Sequence, residues 1–232
     1  MDSWERLNRE IVSCARCPRL RAHCEAIARV KRRAFRDQIY WTRPVPGFGD
    51  RGARLLICGL APAAHGANRT GRMFTGDDSG NWLYAALHRA GFASQPISTG
   101  AGDGLTLRDA FITASARCAP PDNKPTPSEL AACAPFLDRE LALLEDVRVV
   151  LALGQVAWRT TLAHALRFDP TSVPSPRPKF GHGAESRIRI GTRGAQVALL
   201  ASYHPSRQNT NTGRLTRAML DDVVARAKRL AD

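Results

Sequence analysis

Three short apolar runs constrain this chain more than anything else in it: residues 55–58, 147–153 and 197–201. Short, largely apolar runs of this kind read as strands buried on both faces, the pattern of a parallel sheet covered by helices. The first run stops at Gly59 and opens into GLAPAAHGANRTGRMFTGD, and the third opens into YHPSRQNTNTGR. In open α/β sheets a ligand site lies just beyond the carboxyl ends of the strands, where loops of this kind sit. Helical patterns fall at 3–11, about 20–35, 81–90, about 130–144, 155–165 and 214–230, and further strands at 110–113 and 188–190. The last of these pairs with 197–201 as a hairpin across Thr192-Arg193-Gly194-Ala195. Pro135 either kinks the helix at about 130–144 or marks its start. Strands alternating with helices imply an α/β fold, and with neither an internal repeat nor a clear linker the expectation is one domain over residues 1–232.

Charge narrows the partners. Thirty-four Lys and Arg against 21 Asp and Glu leave a formal +13, which concentrates polyanions, nucleic acid first among them. No run reaches the ~18 apolar residues of a membrane span. The start, MDSWERLNRE, lacks a secretory pattern, so the expected location is cytoplasmic and the expected state a monomer away from membranes. Six cysteines in such a compartment are not a disulfide framework. Cys14 and Cys17 form a Cys-x-x-Cys pair, and Cys118 and Cys133 lie in or beside the proline-rich stretch ARCAPPDNKPTPSELAAC. Four thiolates from two distant segments hold either a structural zinc or a [4Fe–4S] cluster, unless they are buried free thiols. Cys58, inside the first run, and Cys24, on the basic helix, read as core or surface residues.

The two polar loops carry the chemistry. Phe74, flanked by glycines and with Arg69 and Arg72 nearby, suits stacking on a base while cations meet phosphate; otherwise it is a core anchor for the loop. Asp77 is a catalytic carboxylate or the N-cap of the next helix. His65 is a ligand to substrate or a structural histidine. His204 precedes Pro205 at a strand end and is placed to donate a hydrogen bond to developing negative charge. Ser206, Arg207, Gln208 and Asn209 behind it are phosphate- and groove-binding types, or a polar surface turn. Asn123, between prolines, reads a base edge or makes an Asx turn. The first loop has neither the G-x-x-x-x-G-K-[ST] nor the G-x-G-x-x-G spacing, which argues against a phosphate-cradling nucleotide site.

Together these residues resemble the uracil-DNA glycosylase superfamily, in particular its family five, the iron–sulfur type B enzymes. The likeness runs from residue 14 to about 216 and rests on GLAPAAHGANRTGRMFTGD, HPSRQNTNTGRLT, CAPPDNKP and the cysteine pattern. It implies a three-layer α/β/α fold with a central, mainly parallel four-stranded sheet, and a [4Fe–4S] cluster on Cys14, Cys17, Cys118 and Cys133. It implies monofunctional hydrolysis of the N-glycosidic bond of uracil, and of other deaminated bases such as hypoxanthine, in DNA. Phe74 then resembles the aromatic under the everted base, Asn123 the amide on the uracil edge, and His204 the histidine that stabilises charge on uracil O2. Gly59, Ala61, Pro62, Ala63 and His65 correspond to the loop around base and sugar. Leu60 and Ala61 stand where other branches carry an acidic or amide side chain, and Asp77 resembles the aspartate that replaces it. The alternative is a non-catalytic nucleic-acid-binding protein with a structural metal.

Overall fold

The computed structural model describes residues 3–191 and 194–232. Its sheet is built from β1 (Phe48–Gly49), β2 (Leu55–Gly59), β3 (Ala110–Ala114), β4 (Val149–Leu153), β5 (Glu185–Ile190) and β6 (Ala195–Ser202), in the order β1-β3-β2-β4-β6-β5. The four inner strands are mutually parallel, and β1 and β5 add antiparallel edges. The expected four-stranded parallel sheet is therefore the centre of a six-stranded one. The hairpin of β5 and β6 forms as expected, although Thr192 and Arg193, assigned to its turn, lie outside the described residues.

Alternation along the inner strands divides the core. Leu55, Ile57, Ile112, Val149, Leu151 and Leu200 pack on helices α4 (Asp78–Arg89) and α8 (Arg217–Ala231). Leu56, Cys58, Phe111, Val150 and Leu199 face the opposite way, onto α1 (Ser3–Val12), α5 (Pro127–Leu143) and α6 (Gln155–Phe168). Three layers result because every inner strand is apolar on both faces. No helix among the described residues is long and apolar enough to cross a membrane.

Two expectations shift. The basic helix, α2, covers only Pro18–Arg29, and a 3-10 turn follows at Arg33–Phe35. β-branched Val30 is a poor helix former, and beyond it the like charges of Arg29, Arg32 and Arg33 would repel at i,i+3 and i,i+4. Pro135 neither starts nor breaks α5. That helix begins at a capping box, in which the Thr126 hydroxyl accepts from Glu129 N at 3.2 Å and the Glu129 carboxylate accepts from Thr126 N at 2.7 Å, with Pro127 at the first position. A strong start and a buried face at Phe136, Leu137 and Leu141 outweigh the one missing backbone bond.

Candidate active site

The inner strands all end on one edge of the sheet, and the chain's glycines set what happens there. Ser115 and Ala116, leaving β3, donate their N–H groups to the carbonyls of Gly59 and Leu60 at 3.0 Å each, and Gly154 N donates to Ser202 O at 2.8 Å. A Cβ on Gly59 would lie 2.8 Å from the Phe74 ring, and one on Gly80 would lie 1.7 Å from the Phe74 carbonyl oxygen. Both glycines are thus required by Phe74, whose own φ of 53° is left-handed. A non-glycine residue held there costs roughly 1–2 kcal/mol, and such strain concentrates at functional sites.

The strained residue meets the late loop. Phe74 and His204 face each other with ring centres 5.8 Å apart and planes 29° from parallel. His204 leaves the end of β6 against Gly154, where a Cβ would stand 3.3 Å from its own. Its carbonyl accepts from Asn209 Nδ2 at 2.8 Å, while its ring nitrogens have no hydrogen-bond partner among the described residues. Burial pushes the imidazole down to about 4, so it is neutral in ordinary buffers. A neutral imidazole still offers one N–H.

Asp77 takes the N-cap role, one of the two that the sequence left open. Its Oδ1 accepts from Gly80 N at 2.9 Å as the N-cap of α4. Its Oδ2 points at Gly66, where a Cβ would lie 1.9 Å away. Burial raises its carboxyl above the usual range, and the backbone N–H groups of Gly80 and Ser79 only partly offset this. The loop between Gly59 and Asp77 includes α3 (Ala67–Thr70). Pro62 is buried there, while Ala61, Ala63 and His65 are half-exposed. His65 Nδ1 lies 2.9 Å from the Tyr40 hydroxyl, so this histidine braces the loop on that side.

The two loop arginines do not face solvent. Arg69, 8% exposed, donates to the carbonyls of His65 and Gly76 at 2.8 Å each and to Gln38 Oε1 at 2.6 Å. Arg72, 5% exposed, pairs with Asp103 and donates to Thr75 Oγ1 and Ser98 Oγ. Their reading as phosphate contacts gives way to one as internal braces. Removing one partner of a buried pair costs about 3–5 kcal/mol. Arg72→Ala is therefore expected to lower the unfolding free energy by that amount in a denaturant titration, while the salt dependence of DNA binding by the folded fraction stays unchanged.

The remaining predicted residues are divided. Arg207 opens α7 (Arg207–Asn211) and pairs with Asp78, so the late loop is clasped to the start of α4. Ser206 is half-exposed and Gln208 exposed, both open to a ligand, but the Asn209 amide is used on His204. Asn209 is a positioning residue; nothing in a run of polar residues distinguished it from Gln208. Asn123 ends a 3-10 turn (Pro121–Asn123) beyond β3, with φ 55° and an exposed amide that has no hydrogen-bond partner among the described residues. Phe74 and His204 face each other, and Asn123 lies beyond the end of β3, towards the same edge of the sheet.

The cysteines gather on the α1–α2 side. Cys17, the N-cap residue of α2, is pushed up to about 11 by burial and by Cys133, Cys118 and Cys14. Cys133, on α5, is raised by burial and by Cys118 and Cys14, against the backbone N–H and the charge of Arg117. Cys24 also lies against Cys118, and its thiol donates to Ala119 O at 3.7 Å. All six cysteines are free thiols, and no three His, Cys, Asp or Glu side chains among the described residues converge on a single-ion site. The thiols of Cys14, Cys17, Cys118 and Cys133 lie within electrostatic reach of one another, the soft sulfur donor set that a structural zinc or an iron–sulfur cluster takes.

The model of the Uracil DNA glycosylase superfamily matches residues 46–228. A type-5 uracil-DNA glycosylase of Mycobacterium bovis is 55% identical, over 97% of this chain and 81% of its own. One from Thermus thermophilus is 53% identical over 95% of both chains, and one from Pyrobaculum aerophilum 42% identical over 94% and 88%. With the loops, the strand ends and the cysteines arranged as described, and with similarity of this extent, the chain belongs to the uracil-DNA glycosylase superfamily, alongside its type-5 members.

Proposed function

We propose that this chain is a monofunctional DNA repair glycosylase that hydrolyses the N-glycosidic bond of uracil, and of related deaminated bases such as hypoxanthine, and leaves an abasic site. The observation that carries the reading is the pairing of Phe74 with His204 at the carboxyl edge of the sheet, on a loop that ends in a desolvated carboxylate. A base inside a duplex is out of reach, so the nucleotide rotates out, at a cost of a few kcal/mol that a U·G mispair lowers. The base stacks on Phe74, Asn123 meets its edge, and the backbone of the 59–66 loop encloses it. As the bond breaks, the sugar becomes cationic and the base anionic; neutral His204 donates to the anion, and Asp77 orients water or balances the sugar. Ser206, Arg207 and Gln208 line the duplex side. The protein works as a monomer in the cytoplasm.

The four cysteines Cys14, Cys17, Cys118 and Cys133 would hold a [4Fe–4S] cluster, which when bound ties α1, α2, α5 and the segment after β3 together and takes no part in the reaction. Cys17→Ser is expected to lower iron and sulfide content and thermal stability together; full iron content in that variant would remove Cys17 from the ligand set.

A duplex with a single U·G pair tests the function. Uracil release with strand cleavage by alkali is expected, and DNA binding without abasic product would instead establish the non-catalytic reading.

A further inference from the structure

Five large apolar side chains are exposed among the described residues, and three of them, Val30, Ile39 and Trp41, fall within twelve residues between α2 and β1. Ile39 is the extreme case, at 93% exposure. Its mounting is not that of a loose loop. On one side Gln38 Oε1 accepts from Arg69 Nη1 at 2.6 Å. On the other, the Tyr40 hydroxyl meets His65 Nδ1 at 2.9 Å, Trp41 N donates to Arg69 O and Thr42 N to Asn68 O at 3.0 Å each. Arg69 in turn holds Gly76 O, one residue before Asp77, and also lies 4.0 Å over the Phe35 ring. Ile39 is thus fastened, through its two neighbours, to the loop that carries Phe74 and Asp77. Arg29, Arg32, Arg33 and Arg36 are exposed in the same segment, Arg29 pairing with Glu25 and Asp37 lying among the rest.

A rigidly mounted, solvent-facing isoleucine among arginines has the chemistry of a wedge for a duplex: cations grip the phosphates while an apolar side chain enters between base steps. The late loop exposes no aliphatic side chain for that task, since Pro205 and Leu215 are buried, Arg207 is paired to Asp78 and Gln208 is polar. Resting on the glycosylase reading, we infer that Ile39 is the side chain that unstacks the duplex beside the target nucleotide, with the arginines of 29–36 gripping its backbone.

The test compares the whole protein with Ile39→Ala and Ile39→Leu on uracil in U·A duplex, U·G duplex and single strand. A wedge matters only where there is a stack to open. Ile39→Ala should slow single-turnover release about tenfold or more from U·A, less from U·G, and under threefold from single strand, while Ile39→Leu restores the U·A rate. Equal losses on all three substrates, or no loss on U·A, would overturn the inference. A duplex carrying 2-aminopurine beside the uracil gives a readout without chemistry: wild-type binding should brighten it and Ile39→Ala should not. If wild-type protein releases no uracil even from single strand, the glycosylase reading fails, and the 2-aminopurine signal still decides the wedge.

Discussion

His204→Ala is expected to slow single-turnover uracil release by about 100- to 1000-fold, the usual loss when one preorganised donor to developing charge is removed. The fold should survive, because the ring nitrogens have no partner among the described residues and the backbone turn is held through the His204 carbonyl, which Asn209 Nδ2 still reaches. The pH dependence separates a neutral donor from a cationic one. Burial puts the folded imidazole at about 4, below its ordinary 6.5. The wild-type rate should then show no histidine inflection near pH 6.5. The same depression has a folding consequence. Between about pH 6.5 and 4 the unfolded chain binds the proton and the folded chain does not, so this contribution to stability is complete above pH 6.5 and is lost as pH falls towards 4. It amounts to at most about 3 kcal/mol. His204→Ala should therefore flatten the acid side of the stability curve as it abolishes activity; a rate that rises below pH 6.5 in wild type would instead call for the imidazolium.

Where the chain was legible, one physical signal dominated. Parallel strands buried on both faces must be apolar without interruption, so β2, β4 and β6 and the glycines or polar loops at their ends could be read directly, and with them the edge of the sheet that holds Phe74 and His204. One edge strand was missed. Phe48–Gly49 is too short for any period to register. Arg69 and Arg72 show the deeper limit: an arginine in a glycine-rich loop reads as a free cation, and only the fold brings Asp103, Gln38 and the Gly76 carbonyl to it. The buried pair of Arg117 and Glu140 was hidden for the same reason, since its partners are separated by 22 residues of loop and helix. Thr126-x-x-Glu129 is different. That signature lay in the sequence and marks the start of α5, eight residues before Pro135.

Asp77 is the position at which folding and chemistry pull apart, so paired substitutions should resolve its two roles. Asp77→Asn keeps an oxygen for Gly80 N and removes the charge. Because burial raises the Asp77 carboxyl above its usual range, ionisation at neutral pH weakens the folded state: the folded chain holds the proton to higher pH than the unfolded one, and stability declines as pH rises through that interval. The Asn variant is therefore expected to be as stable as wild type or more so, while uracil release falls about 100-fold or more. Asp77→Ala loses the cap as well, so it should match that rate loss and forfeit about 1 kcal/mol of the stability that Asn retains. In the proposed reaction the ionised carboxylate is the active form, which places the acid limb of the rate above the ordinary aspartate range; Asp77→Asn should abolish that limb. Thermal denaturation beside single-turnover release settles the matter. An Asn variant with normal rates would leave Asp77 as the cap of α4 alone, whereas a stable but inactive Asn variant means that the chain carries a destabilising buried charge because the reaction requires one.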